Sequence, residues 1–386
     1  MGEGLRYRDA GVDREVAERA KSRIGELVAS TKTEGVLSEV GAFGGLFRMP
    51  GGLRSPVMVA SADGVGTKLK VGMRAGRHDT VGHDLVNHCV DDILVEGARP
   101  LFFLDYIGMG TLEEGVVAEV VAGLARGCRE NGCALLGGET AEMPDFYDPG
   151  EYDLAGFIVG LVEEEGRPGA HRVREGAALV GLASDGFHTN GYSLLRKLLF
   201  ERLGLGLDDP FPEDGRPVGE VLLQVHRSYL HAVYPLLRDG AVQALAHITG
   251  GGIPGNLARS LPGGLRARID RGSWERPAAF RGVLAAGRID EREMYATFNM
   301  GLGFVLATEY YRPAVQTVHQ KIEIAADRVE FSNRLSREFP VPATMGVVGS
   351  TYGGVIGSVA SVVIVGGSIA GVAESDEIGR VPEKTV

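Results

Sequence analysis

The sequence predicts an α+β protein with two domains, followed by a tail of different composition. Short apolar runs that lead into glycine alternate with segments of helical periodicity, as in layered domains of strands and helices. A charged connector with glycine and proline lies at 163–169, and no charged residue occurs from 341 to 373. We therefore expect domains at residues 1–165 and 166–340 and an atypical Gly/Ser/Val-rich tail at 341–386.

Composition narrows the possible partners. The 386 residues carry a formal net charge of −11, which argues against a nucleic-acid partner because phosphate backbones demand a basic face. The three cysteines form no CxxC pair, so we expect a reduced, cytoplasmic setting. The first 13 residues are charged and contain no apolar stretch, so no signal peptide is expected.

The elements follow from periodicity and from the residues that bound them. Helices are predicted from Asp13 onward, over 83–96, from the capping-box form at 111–114 to Gly132, and over 192–199. Strands are predicted at 56–60, 101–106, 133–136, 154–162, 177–183 and 244–249. The strand at 56–60 is expected to run into the protein and to end in a turn.

The stretch 61–68, Ser-Ala-Asp-Gly-Val-Gly-Thr-Lys, has the residue types of a phosphate site. Its glycines offer backbone N–H groups beside a hydroxyl and an ammonium, which suit phosphate oxygens, and its carboxylate suits Mg²⁺. The order is wrong for a Walker A loop. The alternative is a tight strand-to-helix turn with a solvated lysine.

The predicted helix at 83–96 has an apolar face and a second face that carries Asp84, His88, Asp91 and Asp92. Two adjacent carboxylates near a helix end oppose the dipole, and a bound cation would relieve that cost. A solvated surface is the alternative. His83 and His88 are five residues apart, which is not the spacing of a helical zinc pair, so zinc is not expected here.

Two further glycine-rich stretches follow strands. Gly137 and Gly138 precede Glu139 at a strand end, where ligands collect in α/β sheets. Three glycines at 250–252 precede a helix that begins near Pro254, which is a plausible anion cradle. A flexible bend is an equally good interpretation of the second stretch.

Eight stretches, taken together and in this order, resemble phosphoribosylformylglycinamidine cyclo-ligase, also called aminoimidazole ribonucleotide synthetase. They fall within residues 6–308, at 7–12, 63–68, 92–100, 102–106, 137–144, 185–195, 247–252 and 294–303. The resemblance implies two α/β-sandwich-like domains of the aminoimidazole ribonucleotide synthetase type. The first would bind ATP and form a homodimer in which the N-terminal sheets pair into a barrel.

The resemblance also implies a reaction of de novo purine biosynthesis. ATP would phosphorylate the formamide oxygen of formylglycinamidine ribonucleotide, and the amidine nitrogen would then close the ring. Aminoimidazole ribonucleotide, ADP and phosphate would be released by this ATP-dependent, C–N bond-forming ligase. Such chemistry needs Mg²⁺ and in-line positioning more than a protein nucleophile.

Site residues are assigned from these patterns and from the resemblance. The ATP and phosphate ligands are predicted to be Asp63, Gly64, Gly66, Thr67, Lys68, Asp92, Gly97, Ala98, Gly137 and Gly138. The ribonucleotide ligands are predicted to be Asp185, His188, Asn190, Gly191, His247, Gly250, Gly251 and Gly252. The Mg²⁺ ligands are predicted to be Asp63, Asp91, Asp92 and Glu139. His247 is assigned as the general base, with Asp92 and Lys68 as the other catalytic residues.

The C-terminal region departs from the family pattern. Residues 310–339 form a polar helical stretch that does not align, and short β-runs such as 359–365, or a disordered appendage, are favoured over a membrane span in the tail. No membrane partner is expected. Two alternatives therefore remain: a non-catalytic nucleotide-binding homologue with a disrupted C-terminus, or a related ATP-dependent synthetase or kinase of the same superfamily.

Overall fold

The computed structural model describes residues 14–309 and two short strands at 362–363 and 369–371. The predicted polar helical stretch at 310–339 and most of the tail lie outside the described residues. The β-run predicted at 359–365 contains one of the two short strands. No helix of the described part combines the length and apolar character needed to cross a membrane.

The first half of the chain forms a four-stranded sheet with strand order β1-β4-β2-β3. Its elements are α1 (Arg14–Ala29), β1 (Pro56–Gly64), α2 (Lys68–Ala75), α3 (Asp79–Leu94), β2 (Arg99–Met109), α4 (Glu114–Asn131), β3 (Ala134–Glu142) and β4 (Tyr152–Glu163). Strands β2 and β3 pair in parallel because α4 returns the chain between them. The pairs β1–β4 and β2–β4 are antiparallel.

Strand β1 differs from its prediction in two ways. It continues past Ala60, and its residues Ser61 to Gly64 remain paired with β4. It is also an edge strand whose side chains alternate between exposed and half-buried, so it does not run into the interior. The strand is therefore longer than predicted and includes Asp63 and Gly64, whereas the turn predicted on the glycines is present at Gly66–Thr67.

Helix α4 lacks the capping box predicted at 111–114. The helix begins at Glu114, and its N-cap residue Glu113 forms no side-chain capping hydrogen bond. Its other end agrees with the prediction, because Gly132 adopts a left-handed conformation there. Cys128 is fully buried, as expected for a core residue.

Helix α3 is the central element of the molecule. It packs against β1, β4 and α4 on one side and, on the other, against helix α7 (Leu230–Arg238) and strand β6 (Val242–His247) of the second half. Almost all of its residues are buried, including the polar ones. Glycines allow this close packing: a Cβ at Gly82 would lie 2.1 Å from the carbonyl oxygen of Val120, and one at Gly123 would lie 1.9 Å from that of Asp79.

The second half forms an antiparallel sheet with order β6-β8-β5-β9 and a separate pair, β10-β7. Its elements are β5 (Ala178–Ala183), α5 (Tyr192–Arg196), α6 (Val218–Leu222), α7 (Leu230–Arg238), β6 (Val242–His247), α8 (Gly252–Arg259), β7 (Leu265–Ala267), α9 (Ala278–Gly287), α10 (Glu291–Thr297), β8 (Leu302–Thr308), β9 (Val362–Val363) and β10 (Ile369–Gly371). The tail thus supplies an edge strand beside β5.

The apolar core does not divide at the expected domain boundary near residue 165. One buried cluster joins Leu85 and Phe103 of the first half to Leu182, Tyr229 and Phe304 of the second. Helix α3 therefore lies between two sheets, and this position explains why its polar face is not solvated.

Candidate active site

Two carboxylates and two imidazoles meet where the first sheet, α3 and β6 come together. Asp63 Oδ2 lies 2.8 Å from His88 Nε2, and Asp92 Oδ1 lies 2.9 Å from His247 Nδ1. Asp92 Oδ2 also lies 3.8 Å from His88 Nε2. The histidine side chains are almost fully buried, whereas the Asp63 side chain is 45% exposed and that of Asp92 is 25% exposed. The carboxylates therefore form the accessible rim of a buried imidazole cluster.

A chain of hydrogen bonds supports these four groups from behind. His88 Nδ1 lies 2.8 Å from the hydroxyl of Thr189, which lies 3.4 Å from His226 Nδ1. His226 Nε2 in turn lies 3.1 Å from His247 Nε2. These hydrogen bonds connect α3 to the end of β6 through two segments of the second half. Each imidazole is held by a partner on both of its nitrogens.

The rim carboxylates are held ionised. Burial alone would raise the pKa of Asp63, but its hydrogen bond to His88 and the charge of that imidazole hold the pKa below the ordinary value. The hydrogen bond and charge of His247 outweigh burial in the same way and lower the pKa of Asp92. These are the conditions under which a carboxylate binds a cation at neutral pH.

The histidines differ among themselves. Burial opposes protonation of His88, yet its hydrogen bond to Asp63 and the nearby carboxylates raise its pKa. Burial lowers the pKa of His247 despite its contact with Asp92, so that imidazole is neutral near pH 7. Burial and neighbouring cations hold the pKa values of His188 and His226 well below the ordinary value.

Lys68 is not available to a phosphate, which corrects its assignment as a phosphate ligand and catalytic residue. Its side chain is fully buried and its ammonium is 2.8 Å from the carboxylate of Asp84. It also donates to the carbonyl oxygens of His188 at 3.1 Å and Gln224 at 2.6 Å. Three acceptors match the three N–H groups of the ammonium. The solvated-lysine alternative is equally wrong.

Asp91 does not belong to the accessible rim, so its assignment as a Mg²⁺ ligand is corrected. It is fully buried and accepts a hydrogen bond from the backbone N–H of Tyr229. Its second oxygen lies 3.5 Å from His226 Nε2 and forms no hydrogen bond within the described part of the chain. Burial raises the pKa of Asp91 well above its ordinary value.

The other predicted phosphate ligands of this stretch, Asp63, Gly64, Gly66 and Thr67, are exposed or half-buried. Gly66 has φ +53°, and no atom lies within 4 Å of the position that a Cβ would occupy. The N–H of Gly64 donates to Asp63 Oδ1 at 2.7 Å. The hydroxyl of Thr67 contacts that of Ser193 at 3.0 Å, which joins this stretch to α5. Within 64–67, the backbone is therefore exposed at Gly66, whereas Val65 is fully buried.

Five other predicted ATP or metal ligands lie elsewhere. Glu139, Gly137 and Gly138 are part of β3, at the opposite sheet edge from β1, roughly 14 Å from Asp63 for three strand spacings. A Cβ at Gly138 would collide with Asp105, and one at Gly97 would collide with Pro168. Ala98 is fully buried. Gly97 and Ala98 are therefore packing positions, whereas Glu139 is exposed and is not near the other predicted Mg²⁺ ligands.

The loop at 185–191 brings the predicted ribonucleotide ligands to the same region. Asp185 forms a two-point ion pair with Arg227, at 2.5 and 2.8 Å. His188 has φ +58°, and its Nδ1 has no hydrogen-bond partner within the described residues. The side-chain nitrogen of Asn190 likewise has none in that part of the chain. Gly191 has φ +78° and begins α5.

The three glycines at 250–252 have different roles. Gly251 is the N-cap of α8, and Gly250 faces the side chain of Asn190. A Cβ at Gly252 would lie 1.8 Å from the carbonyl oxygen of Tyr295, so this glycine is required for packing. Gly250 and Gly251 leave backbone accessible beside the rim, as an anion cradle requires.

Sequence reasoning missed Thr189, His226 and Arg227. His226 is fully buried and contacts both His247 and the neighbourhood of Asp91. The segment at 224–229 has no recognisable motif, and its only signal is the adjacent pair His226–Arg227.

Comparisons with known proteins agree with the fold and with the resemblance. A family model described as AIR synthase related protein, N-terminal domain, matches residues 52–162, and the corresponding C-terminal model matches 174–328. The phosphoribosylformylglycinamidine cyclo-ligase of Trichlorobacter lovleyi is 49% identical over 302 residues, which cover 78% of this chain and 86% of that one.

Solved structures share the fold at lower identity. Thiamine-monophosphate kinase from Stenotrophomonas maltophilia K279a has a TM-score of 0.58 at 18% identity, covering 81% of this chain and 91% of that chain. The hydrogenase maturation protein HypE in complex with ATP has a TM-score of 0.55 at 16% identity, with 83% and 84% covered. From its close relative and the two family models, the chain belongs to the phosphoribosylformylglycinamidine cyclo-ligase family.

Proposed function

We propose that this chain catalyses the ATP-dependent cyclisation of formylglycinamidine ribonucleotide to aminoimidazole ribonucleotide, ADP and phosphate, in de novo purine biosynthesis. The observation that carries the proposal is the convergence of Asp63 and Asp92 on His88 and His247 beside open glycine backbone. Membership of the cyclo-ligase family supports the reaction class.

Asp63 and Asp92 are the residues that would hold Mg²⁺ with the nucleotide. Their carboxylates are partly exposed, and their lowered pKa values keep them ionised. Hard carboxylate oxygens with room for water fit the requirements of Mg²⁺. The ion, when bound, would neutralise charge on the phosphates of ATP.

The exposed backbone at Gly66 and at Gly250–Gly251 supports anion binding at two places. We assign the first to the phosphates of ATP and the second to the ribonucleotide. Asn190 Nδ2 and His188 Nδ1 are buried donors without a hydrogen-bond partner among the described residues. A substrate amide or phosphate oxygen would satisfy them, since buried donors without partners are costly.

The chain's residues would position substrates and accept a proton. Transfer of the terminal phosphoryl group to the formamide oxygen breaks the bond to ADP. The amidine nitrogen then attacks the formyl carbon that bears this oxygen, which closes the ring and expels phosphate. The nitrogen loses a proton in this step, and neutral His247 is the assigned acceptor. Because His226 Nε2 lies 3.1 Å from His247 Nε2, the proton can be passed on to a second imidazole.

We also propose that the active form is a homodimer in which β1 and its neighbour strands pair into a barrel. The side chains of Met58 on β1 and Phe157 on β4 are 58% and 46% exposed. Because exposed apolar side chains on an edge sheet favour association, a second copy would cover this face.

The decisive experiment measures aminoimidazole ribonucleotide from purified chain, ATP, Mg²⁺ and formylglycinamidine ribonucleotide, with ADP measured in parallel. Equal amounts of ADP and product are expected. Asp92→Asn should reduce turnover by about 100-fold or more, because the variant loses one of the two carboxylates that would hold Mg²⁺ during phosphoryl transfer. Glu96→Gln is the matched control, since Glu96 pairs with Arg167 on the surface.

A folded chain that binds ATP but forms no product would contradict the proposal and support the non-catalytic alternative. Turnover of another phosphoryl acceptor in place of the ribonucleotide would instead support a related synthetase or kinase. Comparable activity of Asp92→Asn and Glu96→Gln would remove Asp92 from the mechanism.

A further inference from the structure

We propose that His88, His247, Asp92 and Asp63 form a binding site for one divalent transition-metal ion of the Zn²⁺ type. The inference deepens the proposed function by naming an ion that competes for the carboxylates assigned to Mg²⁺, and so rests on that assignment for its relevance to catalysis. Binding itself is independent of turnover.

The donor atoms are already close to one sphere. A nitrogen of each histidine and an oxygen of Asp92 lie within 4.8 Å of one another. Asp63 Oδ2 lies 2.8 Å from His88 Nε2 but is not within 4.8 Å of all three of these atoms, so the partly exposed Asp63 side chain has to turn toward the ion to become its fourth ligand. Ligands at about 2.05 Å from a tetrahedral ion lie about 3.3 Å apart. The hydrogen-bonded pairs therefore need to separate by about 0.5 Å, and His88 Nε2 and Asp92 Oδ2, now 3.8 Å apart, need to approach by about the same amount.

The outer nitrogens of both histidines are fixed by second partners. Thr189 contacts His88 Nδ1 at 2.8 Å, and His226 contacts His247 Nε2 at 3.1 Å. Each imidazole can therefore carry its proton on the outer nitrogen and direct a lone pair toward the carboxylates. Histidine ligands of metals are oriented in this way by their second hydrogen bond.

The donor set determines which ion is preferred. Imidazole nitrogen suits Zn²⁺, Co²⁺ and Ni²⁺, whereas Mg²⁺ prefers oxygen ligands only. Two carboxylates would balance the charge of a divalent ion between two neutral imidazoles. In the bound state each imidazole keeps one proton, on its outer nitrogen. Neutral His247 reaches this state by a change of tautomer, whereas a protonated His88 releases its second proton to solvent.

This site could not be seen in the spacing of histidines along α3. His83 faces away and contacts Glu130 at 2.7 Å. His88 instead meets a histidine that is 159 positions later in the chain and lies at the end of β6. The three cysteines are buried and free, and none of them belongs to the cluster.

The test uses the full-length, untagged chain after treatment with a chelator, without ATP or ribonucleotide. Calorimetric titration with Zn²⁺ should give one ion per chain, and Co²⁺ should give the visible absorption of a tetrahedral site. Excess Mg²⁺ should not displace either ion. His88→Gln and His247→Gln should each weaken Zn²⁺ binding by at least about tenfold.

His171→Gln is the matched control, because His171 is an exposed histidine outside the cluster. Asp63→Asn provides a variant at a half-exposed position of an edge strand, where misfolding is not expected, and it should weaken binding as well. Circular dichroism would verify that each variant is folded.

Absence of one-to-one Zn²⁺ binding, or equal affinity in His171→Gln and the two cluster variants, would overturn the inference. Octahedral Co²⁺ absorption would overturn the four-ligand geometry. Because these readouts do not use turnover, a chain that binds Zn²⁺ but forms no aminoimidazole ribonucleotide would support the site and contradict the proposed function. Turnover without Zn²⁺ binding would do the reverse.

Discussion

Replacement of Lys68 by methionine tests whether this lysine is part of a buried ion pair or a ligand of phosphate. The Lys68 and Asp84 side chains are both fully buried and lie 2.8 Å apart. Methionine keeps most of the side-chain volume but leaves the Asp84 carboxylate as an uncompensated buried charge. Two carbonyl oxygens, of His188 and Gln224, lose their donor at the same time.

The magnitude follows from the cost of breaking a buried pair, which is about 3–5 kcal/mol. Domains of ordinary stability have about 5–15 kcal/mol in total, so Lys68→Met should lower the unfolding midpoint strongly or prevent folding. Lys68→Met combined with Asp84→Asn should recover part of the lost stability. In the wild-type protein the backbone N–H of His226 donates to Asp84 Oδ1 at 2.7 Å, and the amide oxygen of asparagine can accept the same hydrogen bond.

The assay is urea unfolding followed by circular dichroism, with Lys70→Met as the control. Lys70 is on the same helix and pairs with Glu151, but its side chain is 38% exposed, so that pair contributes about 0–1 kcal/mol. Equal midpoints for the two single variants would refute the argument. A normal midpoint with a selectively raised KM for ATP would show that Lys68 leaves the interior to bind phosphate.

Two other changes test the packing and electrostatics. Burial raises the pKa of Asp105 from 3.8 to about 7. Below about pH 4 the carboxyl is neutral in both the folded and the unfolded chain, and its burial lowers the free energy of unfolding progressively as pH rises to about 7. Asp105→Asn should therefore stabilise the protein relative to wild type at pH 8, by up to about 4 kcal/mol, and should show little gain at pH 4. A gain independent of pH in the unfolding curves would contradict this. Gly82→Ala should lower stability by about 1–3 kcal/mol because its Cβ would overlap Val120, whereas Gly115→Ala, where no atom lies within 4 Å, should be neutral or slightly stabilising. Equal melting temperatures for the two alanine variants would show that the α3–α4 crossing relaxes without cost.

Local pattern predicted the elements well but not their surroundings. The four-residue period of Leu85, Cys89 and Ile93 identified α3 correctly, since periodicity depends on neighbours along the chain. The burial of Asp84 and Asp91 depends on the second half of the chain covering that face, and no local signal records it.

The candidate site shows the same division. Asp63, Asp92 and His247 were each selected from the sequence, and the fold brings them together. Glu139 was selected by the same reasoning but lies at the far edge of the sheet, because strand order, and not sequence order, sets the distance. His226 carries no motif and became recognisable only through its contacts with Thr189 and His247.

The buried lysine also bears on how the chain reaches its native state. Its ammonium belongs to the first half, and two of its three acceptors belong to the second. A fragment that ends near residue 165 would have to leave this charge and much of α3 exposed to water, and the remainder would lose the face that covers its sheet. The two halves should therefore unfold in a single transition, and fragments expressed separately should gain structure only when mixed.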